Sequence, residues 1–163
     1  MARKVFYSFH YKPDNSRASQ VRNMGVIEGN APVLDNDWES ITSRGDKAIQ
    51  NWIDGQLLGK SCTIVLIGTN TAGRKWINYE IVTTWNDGKG LLGIYIHNLK
   101  DFQSNQSARG RNPFDEIRVK ERLLSSMVHA YDPPYRTSTD VYAYIKQNLE
   151  SWVETAVYIR SMH

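Results

Sequence analysis

The stretch Cys62-Thr63-Ile64-Val65-Leu66-Ile67 decides the fold. Thr63 is its only polar side chain, so the run does not alternate between an apolar and a wet face. A strand exposed on one side alternates with a period of two, whereas a strand covered on both sides reads as a continuous apolar run. The run therefore predicts a strand inside a parallel sheet with helices on either side.

Two further strands flank it. Lys4-Val5-Phe6-Tyr7-Ser8-Phe9 is aromatic and β-branched, and Leu91-Leu92-Gly93-Ile94-Tyr95-Ile96 is again nearly all apolar. Helical spacing fills the gaps. Ile49, Trp52, Ile53 and Leu57 share one face of a helix over 46–58, closed by Gly59. A second helix spans 75–85 and stops at Gly88 and Gly90. Asp14-Asn15-Ser16 offers caps for a short helix over 17–24. A weaker strand is expected near Val26-Ile27 or Val33-Leu34, and residues 29–44 read as a polar loop with a helical turn. Residues 97–122 are polar and hard to assign, with Asn112-Pro113 as a turn signal and room for one helix after Asp115. A last strand over 126–131 ends at Pro133-Pro134. The final helix starts near Thr139 and carries Val141, Ile145, Leu149, Trp152 and Ala156 at helical spacing.

Strand and helix alternate throughout. That order predicts an α/β fold of three layers around a mostly parallel sheet of about five strands, as one domain over 1–163. The 163 residues are 40% hydrophobic and 23% charged, which excludes a disordered chain. The net charge is +3 and the basic residues are spread along the chain, with Arg109, Arg111, Arg118, Lys120 and Arg122 the only local concentration, so no nucleic-acid partner is expected. No run is long enough to span a membrane. The opening Met1-Ala2-Arg3-Lys4-Val5 has no signal-like apolar region, and a cytoplasmic protein is expected. The lone Cys62 excludes an internal disulfide and reads as a packing residue. His10, His97, His129 and His163 lack metal-ligand spacing, so no metal is expected.

In such sheets a ligand sits beyond the carboxyl ends of the strands. Three segments follow those ends: one from Ser8, one from Gly68 and one from His97. Gly68-Thr69-Asn70-Thr71-Ala72-Gly73-Arg74-Lys75 has the two glycines of a P-loop. Arg74 and Lys75 stand where that motif needs Lys and then a hydroxyl for magnesium, which excludes a nucleoside triphosphatase. The loop reads either as a phosphate cradle of backbone amides and cations or as a solvated turn. A phosphoryl-accepting receiver domain is excluded too, because no aspartate follows the first or third strand.

The segment Arg74-Lys75-Trp76-Ile77-Asn78-Tyr79-Glu80-Ile81 carries the sharper signal. Ile77, Ile81, Thr84 and Trp85 should face the sheet, and Glu80 falls at the edge of that stripe, one turn after Trp76. A partly desolvated carboxylate beside an indole is a candidate site. The alternative is a boundary glutamate paired with Arg74 or Lys75.

These residues resemble the TIR domains, whose opening strand ends in Ser and an aromatic residue, as Val5-Phe6-Tyr7-Ser8-Phe9 does. Many TIR domains carry Ser-x-Trp-Cys-x-x-Glu on a later helix. Trp76 and Glu80 match it, while Arg74 and Ile77 replace the Ser and Cys. The likeness is closer to the TIR-like branch of Thoeris antiphage defence, the ThsB-like proteins. It rests on Lys4-Val5-Phe6-Tyr7-Ser8-Phe9-His10-Tyr11, Val21-Arg22-Asn23, Val65-Leu66-Ile67-Gly68, the Arg74–Ile81 segment, Gly93-Ile94-Tyr95-Ile96-His97 and Asn112-Pro113-Phe114-Asp115.

The resemblance implies a flavodoxin-like fold. It implies NAD as substrate, needing no separate cofactor, with cleavage between nicotinamide and ribose and a small nucleotide signal for a downstream effector. A homo-oligomer is compatible with it. It assigns catalysis to Glu80. Ser8, Phe9, His10 and Tyr11 after the first strand, with Asn70, Arg74 and Trp76, are the expected substrate contacts, and Asp35 and Trp38 lie in a loop able to close over the site. One carboxylate suffices chemically. Glycosidases need a second to protonate a poor leaving group, but nicotinamide is already cationic in NAD and departs neutral.

Overall fold

The computed structural model describes residues 3–29 and 43–163. The expected second-strand alternative at Val33-Leu34 and the loop residues Asp35 and Trp38 lie outside the described residues.

The Cys62–Ile67 run forms β3, with every residue buried. The other strands of the main sheet are β1 (Lys4–Ser8), β2 (Glu28–Gly29), β4 (Gly90–Tyr95) and β7 (Ala130–Tyr131). They pair in the order β2-β1-β3-β4-β7, and every pairing is parallel. This is the flavodoxin-like order of a doubly wound sheet. The chain direction across the sheet reverses between β1 and β3, which makes the crevice beyond their carboxyl ends the natural ligand position. A two-residue hairpin pair, β5 (Arg118–Val119) and β6 (Arg122–Leu123), stands apart.

Strand alternation sorts the side chains onto two faces. Val5, Tyr7, Cys62, Ile64 and Leu66 point to one face, where α1 (Tyr11–Arg22) and α4 (Ser138–Ser161) cover them with Ala18, Val21, Val141, Ile145 and Leu149. On the other face Phe6 packs with Ile49, Ile53 and Leu57 of α2 (Asp46–Leu57). There Val65 and Ile67 meet Ile77, Ile81 and Trp85 of α3 (Lys75–Asn86). A buried hydroxyl pair, Thr63 Oγ1 to Thr84 Oγ1 at 2.7 Å, fixes α3 along β3. Gly93 admits no larger residue without displacement, because a Cβ there would stand 2.8 Å from Ile67 Cδ1.

Several boundaries differ from the sequence expectation. The first helix begins at Tyr11, six residues before the expected start. Pro13 occupies its first turn, where a missing N–H costs nothing. Asp14 is not a cap but lies inside the helix, where Arg17 takes it as an ion-pair partner at 3.0 Å. The helix expected after Asp115 is a short 3-10 turn, Pro113–Glu116, capped by Asn112 Oδ1 accepting from Phe114 N at 2.9 Å. The strand expected over 126–131 pairs only through Ala130–Tyr131. Met127 and Val128 are buried instead against the α3 face.

Candidate active site

Ile77, Glu80, Ile81, Thr84 and Trp85 are the buried residues of α3. Glu80 therefore sits within the sheet-facing row and not at its edge. It is 7% exposed. Alternation along β1 puts Ser8 on the same face as Phe6, and so beside Glu80. The Ser8 hydroxyl is the one neighbour that favours the charged carboxylate, yet burial outweighs it and pushes the carboxyl up to about 8. Neither Ser8 Oγ nor Glu80 Oε2 makes a well-aligned hydrogen bond among the described residues. The expected alternative, pairing with Arg74 or Lys75, does not occur: Lys75 pairs with Asp46 of α2, and no cation enters the balance at Glu80.

Glu80 lines a cavity of about 650 Å³ at the sheet's switch point. That volume is in the range of small-molecule and cofactor sites. Phe9, His10, Tyr11, Arg74 and Trp76, all expected from the sequence, line it as well. Phe9 and Tyr11 stack with ring centroids 6.1 Å apart. Trp76 is held edge-on by Tyr79 at 5.7 Å, and Tyr79 donates to Asp54 Oδ1 at 2.8 Å, so α2 and α3 together fix that wall. His10 is the residue before α1, and its buried Nδ1 has no hydrogen-bond partner among the described residues. Burial, and then the Arg74 charge, lower its pKa, so its ring is neutral at pH 7.

Two expected residues stand elsewhere. Ser8 does not line the cavity and reaches it only through Glu80. Asn70 is exposed on a turn and is not part of the wall. The loop that carries it is no open phosphate cradle. Its Gly68 N–H donates to Thr71 Oγ1 at 2.8 Å and Thr69 Oγ1 donates to Ala108 O. The Asp14 carboxylate lies directly against Gly68, where an added Cβ would stand 2.0 Å from Asp14 Oδ2.

The structure also brings in residues that the sequence did not single out for the site. Phe6 and Trp52 add to the aromatic wall, Lys12 and Arg22 come from α1, and Arg111 comes from the polar 97–122 segment. Arg111 donates to Ala72 O at 3.2 Å and pairs with Glu116, which carries its guanidinium back to the start of α3. Phe6 and Trp52 were visible as apolar periodicity but read as core. Arg111 stood in a local concentration of basic residues, but nothing there tied it to this cavity, because its placement depends on a non-local return of the chain.

The parallel sheet in this order, with a buried glutamate one turn after a tryptophan on the helix that follows β3, defines a TIR-like α/β domain. The comparisons with known proteins agree. The family described as "Thoeris protein ThsB, TIR-like domain" matches residues 6–101. A protein of Bacillus cereus (strain MSX-D12), named "Putative cyclic ADP-D-ribose synthase ThsB1", is 36% identical over 137 residues, covering 81% of this chain and 71% of its own length. The chain belongs to the ThsB TIR-like family of Thoeris defence proteins. None of its described helices is long and apolar enough to cross a membrane.

Proposed function

We propose that this protein cleaves NAD between nicotinamide and ribose and makes an ADP-ribose-type nucleotide signal for a downstream effector in antiphage defence. The observation that carries the reading is a buried carboxyl, Glu80, which makes no ion pair among the described residues and lines an aromatic-walled cavity at the sheet's switch point. The relative's printed name, a cyclic ADP-D-ribose synthase, supports the same substrate and product class. A pure docking module has no use for such a group, since burying an unpaired acid costs stability.

The bond that breaks joins ribose C1′ to the nicotinamide nitrogen, and its electron pair leaves with the ring, which departs neutral. Positive charge then grows on the ribose. Ionised Glu80, buried at the cavity wall, offsets that charge, and Ser8 holds the carboxylate in place. Aromatic faces of Phe9, Tyr11 and Trp76 suit the cationic ring before it leaves. Arg74 and Arg111 at the start of α3 are placed for the diphosphate. His10, neutral and with an Nδ1 unpartnered among the described residues, takes the proton when the attacking group is water or a ribose hydroxyl. Capture by water gives ADP-ribose, and capture by a nucleophile of the same molecule gives a cyclic product.

The test is nicotinamide release from NAD by the purified protein and by Glu80→Gln, with mass spectrometry of the nucleotide formed. Release by the wild type alone, with a cyclic or linear ADP-ribose product, is the expected result. Equal release by both removes Glu80 from the mechanism, and no release by the wild type favours a binding module.

A further inference from the structure

The cavity poses a charge problem. Lys12, Arg22 and Arg74 line it, with Lys75 and Arg111, whose charges are met by Asp46 and Glu116, while Glu80 is the one acid among its lining residues. Such a site attracts a diphosphate and repels a cationic ring unless Glu80 is ionised. Yet the free site disfavours that ionisation. Glu80 is 93% buried by its 7% exposure, its Oε2 has no partner among the described residues, and only the Ser8 hydroxyl opposes the desolvation. Burying an unpaired carboxylate is costly, so the group keeps its proton instead. A pyridinium ring against the carboxyl supplies the missing counter-charge and reverses the balance.

We infer, on the reading of NAD as substrate, that Glu80 is also the specificity group for oxidation state: the neutral carboxyl of the free site surrenders its proton when a pyridinium ring enters. The cavity thus favours the oxidised dinucleotide and rejects the uncharged dihydropyridine ring of NADH. Discrimination comes from a charge created on binding, and not from shape, because the two rings are nearly the same size. The proton leaves to solvent, so binding is coupled to pH.

Among the groups facing Glu80, the carboxyl at about 8 is the one that titrates between pH 6.5 and 8.5. His10, on the β1–α1 connection, is pushed down by burial and by Arg74, so its change falls below that window. Tyr7, one residue before Ser8, points to the other face of the sheet, and burial raises it, away from that window.

The probe is carba-NAD, in which a methylene replaces the ring oxygen of the nicotinamide ribose; it keeps the pyridinium charge and resists cleavage. Calorimetric titration of the intact protein in two buffers of different ionisation enthalpy counts protons released. Carba-NAD should release close to one proton at pH 7, and its affinity should rise about tenfold per pH unit up to pH 8 and then level off. NADH should release none and show no slope. In Glu80→Gln, checked for an unaltered fold by its melting temperature, the slope should vanish and the preference for carba-NAD should fall at least tenfold. Equal wild-type affinity for the two dinucleotides, or a preference intact in Glu80→Gln, overturns the inference alone. Binding of neither overturns the NAD reading as well.

Discussion

Two buried carboxyls lie near the carboxyl edge of this sheet, and they are held in opposite ways. Asp14 on α1 meets Arg17 at 3.0 Å, and the Arg17 guanidinium also donates to Leu99 O at 2.7 Å and Asn105 O at 2.9 Å. That network ties α1 to the segment after β4. Glu80 on α3 has, among the described residues, only the Ser8 hydroxyl. Burial raises both groups from their ordinary values, but at Asp14 the Arg17 hydrogen bond and charge work against it. A buried acid with a built-in cation is a structural rivet. A buried acid without one, facing a cavity, awaits a cation from outside.

The contrast breaks first at Arg17. Arg17→Met strands Asp14 and should cost about 3–5 kcal/mol of stability. Chemical denaturation would measure it, and nicotinamide release per folded molecule should be unchanged. Glu80→Gln should do the reverse. It removes a group worth about 3–4 kcal/mol of transition-state stabilisation, a loss on the order of 10²–10³ in turnover.

The same substitution should stabilise the empty protein at high pH. The folded Glu80 holds its proton to about pH 8, while the unfolded side chain releases it near the ordinary glutamate value of 4.5. Between those values the unfolded state binds fewer protons, so this group's contribution is full below pH 4.5 and is lost as pH rises through 8. Melting of both proteins from pH 5 to pH 8 should show Glu80→Gln gaining on the wild type by on the order of 3 kcal/mol. The smallest effect belongs to the rim. Arg74→Ala should cost roughly 1 kcal/mol in substrate binding, read as a raised KM with turnover little changed, because Arg74 is exposed and screened.

The sequence made the layers legible because β3 and β4 are buried on both faces and leave unbroken apolar runs. It made Glu80 legible by its place one turn after Trp76. Its depth was misjudged, since the stripe of Ile77, Ile81, Thr84 and Trp85 shows which way a helix faces but not how closely the sheet approaches it. The start of α1 was missed because Tyr11-Lys12-Pro13-Asp14 has no apolar period; the Asp14–Arg17 pair compensates. Asn70 was assigned to the site from its position after β3, but the Thr69–Ala108 bond and the close approach of Gly110 to Gly68 O hold that loop against the chain. Arg111 shows the converse: a polar segment without periodicity delivers a cation to the cavity through contacts far apart in sequence.

The most direct measurement is a structure of the protein with carba-NAD bound. The account predicts the nicotinamide ribose against the Glu80 carboxyl, the ring among Phe9, Tyr11 and Trp76, and the diphosphate toward Arg74 and Arg111. A dinucleotide seated elsewhere on the molecule, with Glu80 still sealed from it, would contradict the account.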